Sequence, residues 1–131
     1  KVLMVGKTGQ LARFMQITQP DTELICLGRD QLDLSKPEGI SDILGSYSFD
    51  LIVNAAAYTA VDKAESEPEL AQAVNAESPG EIAKVCADRQ VPIIHYSTDY
   101  VFPGDATSAY IESDATGPHS VYGQRLGRTF S

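Results

Sequence analysis

A glycine turn near the start of the chain has the residue types that bind a phosphate group. Gly6, Gly9 and Ala12 follow an apolar run and open a helical pattern, with the spacing G-x-x-G-x-x-A. The first glycine permits a tight turn, and the second lets backbone N–H groups and the helix dipole approach a pyrophosphate. The small third residue lets the helix pack closely on the strand. The turn therefore predicts a dinucleotide site, with a plain strand-to-helix turn as the alternative.

The residues after the second apolar run bear on which dinucleotide would bind there. An acidic residue usually holds the ribose hydroxyls of NAD at this point, but here Leu27 is followed by Gly28 and Arg29. A guanidinium is a good partner for a ribose 2′-phosphate. The pattern favours NADPH, with a solvated surface arginine as the alternative. Asp33 is a further candidate contact to the adenine or the ribose.

Small and polar residues follow the third and fourth apolar runs. Three alanines, 55–57, follow Asn54; this run leaves room for a flat ligand group or starts a small-residue helix packed on the core. The fourth run ends in the segment 95–102 (HYSTDYVF), whose hydroxyl and carboxylate groups are expected at a ligand-binding edge. His95 is expected to be a hydrogen-bonded packing residue. Tyr122, at a predicted helix start, is by its pattern alone an amphipathic packing residue.

Strands and helices must hold these groups in place. Four short apolar runs predict buried parallel strands, because half-exposed antiparallel strands would alternate in polarity. Helical patterns lie between them, and Ser-x-x-Glu capping boxes predict three helix starts. This alternation predicts an α/β fold, a doubly wound parallel sheet with ligands at the carboxyl ends of its strands. The strands are predicted at 1–5, 23–27, 51–54 and 91–97, and the capping boxes at 35–38, 66–69 and 78–81.

Composition limits the partners of the chain. Its 131 residues include 18 acidic and 10 basic ones and no basic block, so we expect no nucleic-acid partner. The longest apolar stretch, 51–61, is too short to cross a bilayer, and the first residues do not read as a signal peptide. Cys26 and Cys86 form no CxxC pair and are expected to be reduced. We therefore expect one cytoplasmic domain without a membrane partner.

Four segments together resemble the dTDP-4-dehydrorhamnose reductase family of extended short-chain dehydrogenase/reductases. They are 6–11 (GKTGQL), 54–70 (NAAAYTAVDKAESEPEL), 97–102 (STDYVF) and 121–123 (VYG). The long second segment favours this family over epimerases and dehydratases of the same superfamily. A dehydratase would also need a carboxylate pair directly after Thr98, where the sequence has Asp99 and then Tyr100. The resemblance implies a Rossmann-like NAD(P)-binding fold and reduction of the C4 ketone of dTDP-4-dehydro-L-rhamnose by NADPH or NADH, in dTDP-rhamnose and O-antigen synthesis.

The resemblance also implies roles for individual residues. Thr98 matches the catalytic hydroxyl, Tyr122 the proton donor, and Asp99 a residue on the substrate side. In that reaction the nicotinamide gives a hydride to the sugar carbonyl carbon, Thr98 polarises the oxygen, and Tyr122 protonates the alkoxide. The candidates for cofactor binding, from the turn, the second strand end and the family match, are Gly6, Gly9, Gln10, Leu11, Arg29, Asp33, Leu34, Ala57, Tyr58, Thr59 and Tyr96.

One position departs from the family pattern. In the family the tyrosine begins Y-x-x-x-K, and the lysine lowers the phenol pKa and bonds the nicotinamide ribose. Here Leu126 stands at that position, as if one residue had been lost, and Arg125 lies three positions after Tyr122. We expect Arg125 to occupy the space of the lysine, with its guanidinium toward Tyr122.

The chain is also shorter than the members of this family. We expect an NAD(P)-binding domain over 1–131, with the sheet truncated after its fourth or fifth strand unit and the C-terminal substrate domain absent. Little or no turnover is then expected from this chain alone, although full-length members could form homodimers. The alternative is a non-catalytic binding module, because the regulatory subunit of methionine adenosyltransferase is similar to this family and serves as a partner protein. Hydride transfer distinguishes the two.

Overall fold

Four strands and six α-helices follow one another in the computed structural model, which describes residues 1–19 and 21–127. The predicted domain also includes residues 20 and 128–131, which lie outside the described residues. The elements are β1 (Val2–Val5), α1 (Gln10–Thr18), β2 (Leu24–Leu27), α2 (Ile40–Gly45), β3 (Leu51–Asn54), α3 (Val61–Ala64), α4 (Pro68–Gln72), α5 (Ser78–Arg89), β4 (Ile93–His95) and α6 (Val121–Gly127). A π-helical turn (Ala73–Glu77) joins α4 to α5, and 3₁₀ turns lie at Pro37–Gly39 and Asp99–Val101.

All four strands are parallel and form one sheet in the order β2-β1-β3-β4. Their register aligns the strand ends, since Val5 pairs with both Leu27 and Asn54, and Asn54 pairs with His95. After β1 the chain continues to β2 on one side of β1, and after β2 it crosses to β3 on the other side. The carboxyl ends of β1 and β3 therefore form a topological switch point. The predicted doubly wound sheet is confirmed. The fourth strand is shorter than the predicted 91–97.

Helices cover both faces of the sheet because side chains alternate along each strand. Leu3 and Val5 of β1 point to one face and pack in a core with Ile40 of α2. Met4 points to the other face, where it packs with the fully buried Ala12 of α1. The small side chain at position 12 therefore allows close helix–strand packing, as the turn pattern predicted.

None of the three predicted capping boxes forms a helix cap. Two of them are one residue out of register, because Lys36 and Glu67 occupy the N-cap positions and prolines begin both turns. Ser78 follows the π-helical turn without a break, so there is no helix start for it to cap. Its hydroxyl donates instead to the carbonyl of Leu34, at 2.7 Å.

Helix α6 packs over the connection between β3 and α5. Leu126 and Tyr122 of α6 are buried in one apolar cluster with Ala64, Ala71 and Val101. This cluster places α6 beside the 3₁₀ turn that follows β4. In the described part of the chain, no helix is long and apolar enough to cross a membrane.

Candidate functional site

A cavity of about 440 Å³ opens at the carboxyl ends of β1, β2 and β3, over the switch point. Four loop segments line it, together with one side chain of α4 and one of the π-helical turn. They are 5–9, 27–29, 32–35 and 55–59, with Leu70 and Val74. Three segments that lie far apart in the sequence therefore form one site: the glycine turn, the end of β2 and the alanine run.

The glycine turn forms the floor of this cavity. Gly6 has φ +104°, and its N–H and that of Lys7 both donate to the carbonyl of Leu27, at 3.0 and 3.1 Å. A Cβ atom on Gly6 would lie 3.1 Å from the backbone nitrogen of Ala56. Glycine is thus required here by backbone conformation and by close approach to the alanine run.

Gly9 has a different role in the turn. It is the N-cap of α1 with an ordinary φ of −69°, and its N–H donates to the carbonyl of Gly6 at 2.9 Å. Helix α1 starts directly behind it, so the positive end of the helix dipole lies beside the cavity. This arrangement can hold a pyrophosphate. Gln10 and Leu11, at the start of α1, do not line the cavity.

Arg29 and Asp33 stand together on the wall of the cavity. The Nε of Arg29 lies 3.4 Å from Oδ1 of Asp33, and the N–H and hydroxyl of Ser35 donate to the same oxygen at 3.0 and 2.7 Å. These two hydrogen bonds from Ser35, with a smaller effect of Arg29, lower the pKa of Asp33. The wall therefore offers both a cation for a phosphate and an ionised acceptor for a hydroxyl.

The alanine run is a segment without regular secondary structure rather than a helix start. Residues 55–60 have no regular secondary structure, and α3 begins at Val61. Asn54 begins this conformation by accepting the N–H of Ala56 on its side-chain oxygen, at 3.2 Å. The ligand-facing interpretation of the run agrees with this geometry. The alternative, a small-residue helix start, is wrong.

Both the side chain and the backbone of Tyr58 form hydrogen bonds. Its phenol donates to the carboxylate of Glu67, and this hydrogen bond to an acceptor raises the Tyr58 pKa. Its backbone N–H and C=O both bond to the side chain of Asn75. Ala57, Tyr58 and Thr59 all line the cavity.

His95 packs beside Asn54, as the sequence predicts. The Nδ2 of Asn54 can only donate, so Nδ1 of His95, 3.0 Å away, accepts and the neutral ring carries its hydrogen on Nε2. Burial lowers the pKa of this imidazole. Below the ordinary histidine pKa of about 6.5, His95 takes up a proton more readily in the unfolded chain than in the folded one. The stability of the fold should therefore decrease as the pH falls.

We expect the free energy of unfolding of the wild-type chain to drop more between about pH 7.5 and pH 5 than that of His95→Gln, which keeps an acceptor for Asn54. Urea titrations of both chains at several pH values measure this difference. Identical pH dependence would show that His95 is not held neutral.

Thr98 and its neighbours lie in a second region. Oγ1 of Thr98 donates to Oδ1 of Asp99 at 3.2 Å and accepts the N–H of Tyr100 at 3.3 Å, which begins the 3₁₀ turn. A second cavity of about 330 Å³ lies beside this turn and is lined by Asp99, Tyr100, Phe102, Pro103, Gly104, His119 and Ser120. Thr98 and the exposed Tyr96 line neither cavity.

Tyr122 is brought to the Thr98 turn by close contact between α6 and Tyr100. The two tyrosine rings meet edge to face with centroids 5.6 Å apart. A Cβ on Gly123 would lie only 2.1 Å from the carbonyl oxygen of Tyr100, so this contact depends on a glycine. Tyr122 itself is buried and does not line the larger cavity.

The helix that the Arg125 hypothesis requires is present. Residues three apart on a helix share one side, so Arg125 can lie near Tyr122. Its Nε is buried and has no hydrogen-bond partner among the residues that the structure describes. Leu126, at the position of the family lysine, is 2% exposed and belongs to the apolar cluster.

Sequence reasoning missed several lining residues. Lys7 and Thr8 lie inside the glycine turn, and Ser35 is there as a partner of Asp33 rather than as a helix cap. Leu70 of α4 and Val74 of the π-helical turn also reach the cavity. Their spacing of four was the available signal, but it does not tell which side of the helix faces a ligand. The described residues contain no group of three or more side chains that could hold a metal ion.

Comparison with known proteins identifies the family. The family model described as the RmlD substrate binding domain matches residues 1–128. The chain belongs to the dTDP-4-dehydrorhamnose reductase family. The resemblance found in the sequence is thereby confirmed.

Individual members of the dTDP-4-dehydrorhamnose reductase family agree in sequence and fold. The reductase of Escherichia coli K12 is 48% identical over 128 residues, which are 94% of this chain and 43% of that protein. The solved reductase of Clostridium acetobutylicum has a TM-score of 0.91 at 31% identity, over 98% of this chain and 47% of that one. The Bacillus anthracis reductase, solved with NADP, has a TM-score of 0.91 at 28% identity, over 98% and 47%. The chain thus spans less than half the length of these relatives.

Proposed function

We propose that this chain forms the dinucleotide-binding part of an NADPH-dependent dTDP-4-dehydrorhamnose reductase, whose reaction is reduction of the C4 ketone of dTDP-4-dehydro-L-rhamnose. The observation that carries the proposal is the cavity at the switch point, whose floor is the Gly6 turn at the start of α1. The family membership and the relative solved with NADP support the same assignment. The contact between Gly6 and the alanine run joins the floor of the cavity to its 55–59 wall.

The residues around β4 and α6 are proposed to serve the substrate. When bound, NADPH supplies the hydride. Thr98 is proposed to polarise the ketone oxygen through its hydroxyl, Tyr122 to give the proton to the resulting alkoxide, and Arg125 to place a positive charge near the Tyr122 phenol in place of the family lysine. Asp99, on the wall of the second cavity, is proposed to contact the sugar.

A second candidate function is a non-catalytic dinucleotide-binding module. The observation that favours it is Leu126, which is packed in an apolar cluster at the position of the family lysine. The two functions share the cofactor site and differ in chemistry. Absorbance assays of NADPH oxidation with dTDP-4-dehydro-L-rhamnose distinguish them when the chain is extended by the C-terminal half of a family member, because a binding module would hold NADPH without oxidising it even then.

Calorimetric titration with NADPH and NADH tests the proposal directly. We expect NADPH to bind more tightly, because Arg29 can pair with the 2′-phosphate. Arg29→Ala should weaken NADPH about tenfold, the effect of losing one charge-assisted hydrogen bond, and leave NADH within about twofold. Lys84→Ala, which removes the same charge from an exposed position on α5, is the control and should change neither affinity.

Three results would count against this assignment. Absence of NADPH binding to the wild-type chain would contradict the proposed function. Equal or stronger binding of NADH would remove the role given to Arg29 and leave Asp33, as acceptor for the ribose hydroxyls, in control of the choice. A loss of NADPH affinity in Lys84→Ala as large as in Arg29→Ala would mean that net charge, and not the position of Arg29, is responsible.

A further inference from the structure

Asn75 is a buried polar residue outside the cavity that is tied to its wall. It lies in the π-helical turn between α4 and α5 and is only 1% exposed. Its Oδ1 accepts the N–H of Tyr58 at 2.8 Å, and its Nδ2 donates to the carbonyl of Tyr58 at 3.0 Å. The carboxamide therefore pairs with both backbone groups of a residue 17 positions earlier in the chain.

The segment that Asn75 holds is otherwise fixed near its two ends, where the N–H of Ala55 donates to the carbonyl of Val5 at 3.0 Å and the carbonyl of Ala60 accepts from Ala64 at 2.9 Å. Residues 55–60 belong to no strand or helix, so their backbone groups depend on partners from elsewhere in the fold. Asn54 holds Ala56 at one end, and Asn75 holds Tyr58 in the middle. A carboxamide can accept and donate in one plane with this geometry, whereas an ionised carboxylate can only accept.

The place of this contact in the cavity gives it a functional meaning. Residues 55–59 form the wall opposite the end of β2, which carries Arg29 and Asp33. A dinucleotide whose adenosine lies at the β2 end must pass over Gly6 and then along this wall. π-helical turns are rare and are frequent at functional sites, and here the turn carries both Asn75 and the lining residue Val74.

We propose that Asn75 is a positioning residue for the cofactor, which acts through Tyr58 to hold the 57–59 wall in the shape that receives the part of the dinucleotide beyond the adenosine. The proposal rests on the proposed function, since it assigns a role within the same site. Asn75 itself does not touch the cofactor in this assignment. Its effect is therefore confined to ligands long enough to reach the wall.

Two ligands of different length test this role. NADPH reaches the 57–59 wall, whereas adenosine 2′,5′-bisphosphate covers only the Arg29 end. Asn75→Asp keeps the size and the acceptor of Asn75 but turns an oxygen toward the carbonyl of Tyr58. We expect it to weaken NADPH at least about tenfold, as the loss of one buried hydrogen bond with repulsion implies, and to leave the bisphosphate within about twofold.

A remote core substitution and hydrogen exchange complete the experiment. Leu44→Ala, in the buried core beneath α2, should lower the free energy of unfolding without changing either affinity. Asn75→Ala should speed exchange of the Tyr58 amide hydrogen, because that N–H loses its acceptor. This second variant tests the contact independently of binding.

Each outcome decides for or against the role. Unchanged NADPH affinity in Asn75→Asp would overturn it, and so would equal weakening of both ligands, which indicates a general folding defect. Unchanged exchange at Tyr58 in Asn75→Ala would show that the backbone is held by other groups. Failure of the wild-type chain to bind NADPH would contradict the proposed function and this role with it, whereas wild-type binding with an unaffected Asn75→Asp contradicts the role alone.

Discussion

Gly123→Ala is expected to destabilise the chain by about 3 kcal/mol, the upper range for overpacking, and to move α6 away from the Thr98 turn. The new Cβ would lie 2.1 Å from the carbonyl oxygen of Tyr100, 2.9 Å from its carbonyl carbon and 3.0 Å from Cβ of Pro118. The nearest two atoms belong to the backbone and cannot be relieved by a change of rotamer. Urea denaturation measures the loss of stability. A crystal structure of the variant would show the separation of the Tyr100 and Tyr122 rings.

A helical glycine with open space around it is the matched control. Gly80 lies in the first turn of α5, and in the described part of the chain a Cβ there would have no neighbour within 4 Å. Gly80→Ala should therefore be neutral or stabilise the fold by up to about 1 kcal/mol, since alanine is the better helix former. If Gly123→Ala were as stable as Gly80→Ala, the close contact between α6 and Tyr100 would not exist in solution.

Gly6→Ala is expected to reduce NADPH affinity by about a hundredfold or more and to lower the stability by about 1–3 kcal/mol. The φ of +104° is strained for any residue with a Cβ, and the added carbon would press on the backbone of the alanine run at 3.1–3.3 Å. Relief of that contact must deform the turn or the opposite wall, and both form the cofactor cavity. Calorimetric titration and urea denaturation measure the two effects separately.

Two other glycines sharpen this experiment. Gly39→Ala, where a Cβ would meet nothing within 4 Å in residues 1–19 and 21–127, should change neither stability nor affinity. Gly9 has an ordinary φ, and among the described residues an added Cβ would meet only the carbonyl oxygen of Gly6, at 3.2 Å, so Gly9→Ala should fold with a smaller loss of stability than Gly6→Ala. Loss of NADPH affinity in that stable variant would indicate that a ligand approaches Gly9. Wild-type affinity in Gly6→Ala would disprove the assignment of the turn.

The order of strands and helices and the nature of the glycine turn could be predicted from the sequence because both depend on neighbouring residues. Buried parallel strands need continuous apolar runs, and amphipathic helices need apolar residues three and four apart. The requirement for small residues at Gly6 and Ala12 is likewise local, since a turn and a helix start must fit within seven positions. Parallel pairing then places the strand ends, and with them the candidate ligand groups, at one edge.

The capping boxes show where local patterns fail. Ser35 and Glu38 have the correct spacing, but the helix start is fixed one residue later by Pro37, and the serine bonds Asp33. The sequence also gave no reason to connect Arg29 with Asp33 as an ion pair on a cavity wall. A hydroxyl or a charged group has several partners within reach, and only the packed chain selects one of them.

Tertiary structure alone decided the contacts between distant segments. Asn75 meets Tyr58 through a π-helical turn, and Gly123 brings Tyr122 against Tyr100 across a long loop. Leu126 is turned into an apolar cluster, although its place in the family pattern belongs to a charged side chain. The physical reason is that local steric and hydrophobic patterns fix what each segment becomes, whereas pairing of buried polar groups and close backbone contacts depends on how the segments are brought together in space.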